Sequence, residues 1–184
     1  MKKAKAVISL AVLALLAGCN PQPAHRGGTA PTPAGTPTGL PPLEYTGHGT
    51  RSQPVYFSGQ SRNRKTYELL AQSYVGHAAQ SVAQTTFKQA TVTFYDKDGT
   101  RLQAQAPTAA IDDSRKQVIL SGGVHARTST GLNLVCERLT YDQTTALLHG
   151  DGNVRITGMQ GGQQELLTGS TFTSDVKLTQ MVMK

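Results

Sequence analysis

The chain has 184 residues, enough for one domain, with no tryptophan and only 16% charged residues. Its formal net charge is +7, but from Glu68 to the C-terminus ten Lys and Arg balance ten Asp and Glu. A neutral body argues against nucleic-acid binding, which needs a basic face, and the frequent Thr, Gln, Gly and Val favour strands over helices.

Residues 1–18 have the pattern of a bacterial secretory signal. A lysine-rich start precedes a short apolar run that ends by Ala17, too short for a transmembrane helix of about 20 residues. The run ends in Leu-Ala-Gly-Cys, which resembles a lipobox, so we predict cleavage before Cys19 and lipid on its thiol. The alternative is an ordinary signal peptide followed by an incidental cysteine. With Cys19 lipidated, Cys136 is a lone thiol, and its place on an apolar strand face predicts a buried side chain.

Residues 19–53 are rich in proline, which predicts a lipidated, disordered linker. The linker would tether a folded domain over residues 54–184. At the start of this domain, residues 66–83 carry a helical spacing of apolar side chains. A bent strand also fits them, and it is the interpretation we favour.

Residues 90–102 predict a β-hairpin, because apolar residues alternate on both sides of Asp98-Gly99. The pair Asp96 and Asp98 does not have the spacing of a calcium loop, so a tight turn is the better interpretation.

A repeat organises the rest of the chain and is clearest over residues 131–154. An alternating strand passes a small residue, Cys136, and then shifts its apolar positions by one. Such a shift requires a bulge or bend. Similar shifts follow Ala71, Ala106 and Gly169, and three of the copies end in Asp at a turn. The repeat predicts an all-β protein of stacked, bent hairpins around one apolar interior. The alternative is an ordinary sandwich in which the shifts arose by chance.

The ends of the repeat lead to two local predictions. Gly150, Asp151 and Gly152 predict a turn after the second strand of the clearest copy. In the last copy Leu167 and Gly169 precede the shift, and the alternating apolar residues from Val176 onward predict a strand that runs to the C-terminus.

No motif in the sequence predicts catalysis. The recurring acids Asp112, Asp142 and Asp175 fall at turns, where Asp caps the backbone, and the five histidines show no metal-ligand spacing. We therefore expect neither enzymatic activity nor a cofactor.

Several segments, in order, resemble the family of lipopolysaccharide-export proteins that includes LptC, LptA and the N-terminal part of LptD. They are FKQATVTFYDKDGTRL, AxxAxID, VILSGGV, LxCxxLxYD, LLHGDGNV and GxxFxSD, within residues 66–184. The resemblance implies an open, V-shaped antiparallel β-jelly roll in the periplasm. It also implies that the protein binds lipopolysaccharide and passes it from the inner-membrane ABC transporter (LptBFG-like) to an LptA-like bridge protein by pairing of edge strands.

The resemblance further implies an apolar groove between the arms of the V. The inward positions that would line it are Val118, Leu120, Val124, Leu134, Leu139, Tyr141, Leu148, Val154, Ile156 and Phe172. LptC itself usually has a transmembrane anchor, whereas this chain has a lipobox followed by Asn20. Two alternatives remain for the membrane that holds the anchor: the inner membrane, which the family implies, and the outer membrane. The alternative function is that of a structural envelope lipoprotein whose β-stack has a closed core. A groove too large to be filled by the protein's own side chains would favour lipid transfer, and a closed, dry core would favour the structural role.

Overall fold

The computed structural model describes residues 43–79, 82–160 and 163–184 of the chain. The described part contains strands and turns, no helix, and one open antiparallel sheet, which confirms the predicted fold class. The strands are β1 (Leu43–His48), β2 (Val55–Ser61), β3 (Arg64–Ala71), β4 (Ser73–Ala79), β5 (Val82–Tyr95), β6 (Arg101–Asp112), β7 (Gln117–Thr128), β8 (Asn133–Asp142), β9 (Leu147–Gln160), β10 (Gln163–Ser174) and β11 (Met181–Met183).

Each strand from β4 to β11 pairs with its neighbour in sequence, and β1 pairs with β4. Strand β5 pairs with β6 on one side, from Gln84 to Tyr95. On its other side it pairs with β4 in its first part and with β3 in its second part. The sheet therefore divides along the length of β5 into two regions.

The division continues through the later strands as a row of irregularities. The pairing shifts between Gln105 and Thr108, between Ser121 and Val124, between Val135 and Arg138, and between Gly169 and Thr171. Three of these four irregularities lie where the sequence shows a shift in its apolar pattern, at Ala106, Cys136 and Gly169. The predicted one-residue shifts are therefore real bulges. The copy at Ala71 is a complete break, where β3 ends at Ala71 and β4 begins at Ser73, with one residue between them.

The row of bulges separates two half-sheets. The first half-sheet contains β1, β4, β11 and residues 82–88, 108–112, 117–121, 138–142, 147–151 and 171–174 of the long strands. The second contains β2, β3 and residues 90–95, 101–105, 124–128, 133–135, 154–160 and 163–169. Their apolar faces meet: the rings of Phe94 and Tyr141, one from each half-sheet, have centroids 4.8 Å apart, as do those of Phe57 and Phe87.

Strand β1 lies inside the range predicted as linker, so that prediction is wrong for residues 43–48. The strand is held by reciprocal packing of aromatic rings over glycines. Tyr45 stands opposite Gly76, and Gly47 stands opposite Tyr74. A Cβ at either glycine would overlap the facing ring, and the Tyr45 hydroxyl also lies 2.8 Å from Thr85 Oγ1. These cross-strand pairs stabilise a short strand that its proline-rich surroundings did not predict.

Two further expectations are corrected. The turn expected at residues 150–152 is a bulge inside the continuous strand β9, because Gly152 and Asn153 adopt positive φ of 76° and 49° without ending the pairing. The C-terminal strand expected from Val176 onward is interrupted, since residues 175–180 form a turn between β10 and β11. The predicted signal peptide, the lipidation site Cys19 and the linker up to residue 42 lie outside the described residues.

Candidate functional site: the cleft between the half-sheets

The ten predicted groove residues are all buried, each 3% exposed or less. They are divided between the two half-sheets and point into the space between them. The first half-sheet contributes Val118, Leu120, Leu139, Tyr141, Leu148 and Phe172, and the second contributes Val124, Leu134, Val154 and Ile156. Over most of the sheet these side chains pack against one another, so the interior there is filled by the protein's own atoms.

The interior opens at the end formed by β9, β10 and β11. A cleft of about 520 Å³ lies there, between the second half-sheet and the C-terminal segment. This volume is within the range of ligand pockets, about 300–1,000 Å³. The apolar lining residues are Leu132, Ile156, Met159, Leu167, Leu178 and Met181. Of the ten predicted groove residues, only Ile156 lines this cleft.

The other lining residues were missed for identifiable reasons. Met159 is 69% exposed and Leu167 is 44% exposed, so neither belongs to the buried interior that the alternating pattern describes. Leu167 was part of the repeat, and its position just before the small residue Gly169 was the one signal available. Leu132 lies next to a turn, and Leu178 and Met181 belong to the C-terminal segment whose path was not predicted.

Residues 175–180, here called the closing segment, lie between β10 and β11. They are at the mouth of the V, the end where the tips of the two half-sheets face each other. The side chains of Val176 and Leu178 are buried in the common core. Leu178 adopts φ of 59°, the left-handed region that costs a non-glycine residue about 1–2 kcal/mol, so its buried side chain must compensate for the backbone. The burial of the Leu178 side chain therefore offsets the unfavourable backbone conformation at this position.

An ion-pair cluster joins the two half-sheets at the mouth. Lys177 Nζ lies 2.8 Å from Asp98 Oδ2 and 3.1 Å from Asp96 Oδ2. Hydrogen bonding from Lys177 to Asp98, together with the backbone N–H of Thr100, holds the pKa of the Asp98 carboxyl well below its usual range. The two aspartates occupy the β5–β6 turn of the second half-sheet, so Lys177 fastens the closing segment to the opposite side of the mouth.

The recurring aspartates act as turn caps, as predicted. Asp142 Oδ1 accepts hydrogen bonds from the backbone N–H groups of Thr144 and Thr145, at 2.8 and 2.9 Å. Asp112 Oδ1 accepts one from Arg115, and Asp175 Oδ1 accepts one from Thr179. Among the described residues, no three His, Cys, Asp or Glu side chains come together as a potential metal site.

Cys136 is 2% exposed, and its burial raises the pKa of the thiol to about 12. The thiolate, which is the reactive form, is therefore strongly disfavoured at neutral pH. Cys136 thus packs as a small apolar side chain, as predicted.

Helices long and apolar enough to cross a bilayer do not occur in the described ranges of the chain.

Comparison with known proteins agrees with the arrangement of strands. Residues 50–182 match a family described as lipopolysaccharide-assembly, LptC-related. The match begins just after β1 and ends within β11, so it covers most of the described sheet. No curated protein matches the chain.

Proposed function

Because the chain belongs to the LptC-related family of lipopolysaccharide-assembly proteins, we propose that it binds lipopolysaccharide in the periplasm and transfers it toward the outer membrane. Family membership indicates the general role, in lipopolysaccharide transport or assembly. The apolar cleft beside β9, β10 and β11 is the observation that supports the more specific role in transfer.

The cleft suits the hydrocarbon part of such a ligand. Its lining side chains are mostly apolar, and it opens to solvent, so acyl chains could leave water while attached sugars stay hydrated. In this proposal Ile156 contacts lipid directly. The other nine predicted groove residues form the wall behind the cleft, and a lipid would reach them when the half-sheets separate.

The free edges of the sheet support a proposal about where partners dock. Strand β11 covers only residues 172–174 of β10, and Lys184 pairs with residues 170 and 171. Among the described residues, the stretch from Gln164 to Gly169 therefore has a strand on one side only. An exposed strand edge can accept a further strand, so we propose that an LptA-like bridge protein pairs here and that an LptBFG-like transporter docks at the opposite edge.

The N-terminal predictions complete this scheme. Lipid on Cys19 would hold the protein to a membrane, and the linker would let the domain reach its partners. The family implies the inner membrane, where the ABC transporter resides.

Site-specific photocrosslinking in the cell envelope tests the proposal. One probe would replace Leu167, which lines the cleft, and a matched control would replace its neighbour Leu166, which is 57% exposed and points to the opposite face of β10. Adducts would be analysed for lipopolysaccharide. We expect adducts at Leu167 and few or none at Leu166.

Equal labelling at the two positions, or labelling at neither, would refute a lipid path through the cleft. The structural-lipoprotein function would then be the better interpretation, since the filled interior over most of the sheet agrees with it. A third probe at Tyr141 would report whether lipid also reaches the deep interior, because Tyr141 is 1% exposed and packs on Phe94.

A further inference from the structure

A second, smaller pocket lies at the mouth of the V, away from the apolar cleft. It has a volume of about 190 Å³ and lies between the β2–β3 and β5–β6 turns of the second half-sheet and the β8–β9 turn of the first. Its lining is largely polar and includes three cationic side chains: Arg62, Arg64 and Lys97. We call it the mouth pocket.

A bulge in β3 directs two of the lining residues into the pocket. Gly59 pairs with Tyr67 and Gln60 pairs with Lys65, so Thr66 is the extra residue. The bulge reverses the alternation of the strand, with the result that Thr66 and Tyr67 are both buried in succession. Arg64 and Thr66 consequently line the pocket, while Lys65 points outward to Glu68, 3.0 Å away. Bulges often re-aim side chains in this way beside functional sites.

The charges of the mouth pocket are unbalanced. Asp96 is the single carboxylate in the lining, and Lys177 already contacts it. Within the described ranges, none of Arg62, Arg64 and Lys97 forms a salt bridge. Lys177 also contacts Asp98, so its one positive charge is shared between two carboxylates. Counted with these three groups, the cations of the pocket leave a net charge of +2 around a small volume, an arrangement that attracts an anion.

A buried hydroxyl at the pocket wall also lacks a partner. Thr66 is 6% exposed, and its Oγ1 has no hydrogen-bond partner among the described residues. Buried polar groups are nearly always hydrogen-bonded, because leaving one unsatisfied is costly. An oxygen-rich anion in the pocket would accept a hydrogen bond from this hydroxyl.

We propose that the mouth pocket binds a phosphate group, with the arginines donating to its oxygens and Thr66 donating from the wall. Guanidinium groups suit phosphate because their donors match its geometry. The proposal rests on the proposed function in one respect: the phosphate is that of an amphiphile whose acyl chains occupy the apolar cleft. Free phosphate offers the same chemistry, and the experiment separates the two sources.

The test measures binding of two lipids to the full-length protein in detergent. One is lipid A with both phosphates, and the other is the same lipid A after enzymatic removal of its phosphates. We expect the wild-type protein to bind the phosphorylated lipid about tenfold more tightly, as charge-assisted hydrogen bonds predict. The variant R62A/R64A should lose this preference and keep its affinity for the dephosphorylated lipid. R155A is the matched control, since Arg155 is an exposed cation on the outer face of β9.

Thr66→Val separates binding from stability. Valine has nearly the same shape and removes the unsatisfied hydroxyl, so the unliganded protein should be as stable as wild type or more stable. The affinity for phosphorylated lipid A should fall at least twofold. Unchanged affinity in this variant would overturn the assignment of Thr66.

The outcomes distinguish the two proposals. Binding of neither lipid would refute the lipid-transfer function. Equal binding of both lipids would refute the phosphate site alone. If inorganic phosphate at millimolar concentration protects the wild-type protein against thermal unfolding, fails to protect R62A/R64A, and does not compete with lipid A, the pocket binds free phosphate and the lipid source is overturned.

Discussion

The substitution Leu178→Ala tests whether the closing segment differs energetically from the core that it covers. Leu178 is 3% exposed and lines the apolar cleft, whereas Leu120 is fully buried between the half-sheets. Both changes remove roughly three buried methylene equivalents. The hydrophobic transfer free energy lost is therefore about 2.4 kcal/mol, at ~0.8 kcal/mol each.

The two sites should differ in the cavity that each substitution leaves. Leu120→Ala creates an enclosed void, so its total cost should reach about 3–5 kcal/mol. Leu178→Ala only enlarges a cleft that already exists, so the cavity contribution is small and the total should stay near the transfer loss of about 2.4 kcal/mol.

Urea denaturation of the two variants and the wild type gives both free energies of unfolding. The same variants should be tested for lipid A binding, because a wider cleft in Leu178→Ala should speed uptake while Leu120→Ala should not. An equal loss of stability in the two variants would show that Leu178 is ordinary core. The closing segment would then have no special relation to the cleft.

Three further predictions follow from particular contacts. The pKa of Asp98 lies below its ordinary value of 3.8, so its ion pair with Lys177 stabilises the fold above about that pH and is lost as the pH falls further. The protection factors for hydrogen exchange at residues 175–180, taken relative to the intrinsic amide rate at each pH, should therefore fall as the pH drops below 3.8, and Lys177→Met should show the lower protection already at neutral pH; protection that does not change with pH in the wild type would contradict this. The Cys136 thiol should react with a soluble disulfide reagent only after unfolding, because burial raises its pKa to about 12, and rapid labelling of the native protein at pH 8 would show that the site opens. Gly150→Ala should cost about 1–3 kcal/mol, since a Cβ there would overlap the Phe172 ring, and Phe172→Leu should recover part of that loss; additive effects in the double variant would exclude the contact.

The repeat made much of the sheet predictable. A bulge changes which residues face inward. It can be recognised in the sequence when apolar residues alternate strictly on both sides of it, because the alternation shifts by one position. Ala106, Cys136 and Gly169 mark such sites, and the structure places a shift in pairing after each. The bulge in β9 was harder to recognise, because Gly150 and Gly152 also suit a turn.

The closing segment shows where pattern alone fails. Val176 and Leu178 alternate with polar residues as they would in a strand, yet they occupy a turn whose side chains enter the core. In this turn Lys177 contacts Asp96 and Asp98, which lie about 80 residues earlier in the chain, and the alternating pattern does not predict that contact. The cleft exists because of this turn, so it could not be predicted either.

The aligned bulges form a line across the sheet at which the two half-sheets join. Residues such as Gln89, Gly122 and Gly123 sit on it with positive φ, and the ladder of hydrogen bonds skips a step at each strand that crosses. A change in the angle between the two half-sheets would therefore leave the pairing inside each half-sheet intact. A strand segment of five residues, as in one half-sheet, is about 17 Å long at ~3.3 Å per residue. A rotation of about 15° would then part the tips by roughly 4 Å, about one carbon–carbon contact distance. Because the bulges lie along one line, a small change of angle would open a gap of this width between the tips of the two half-sheets.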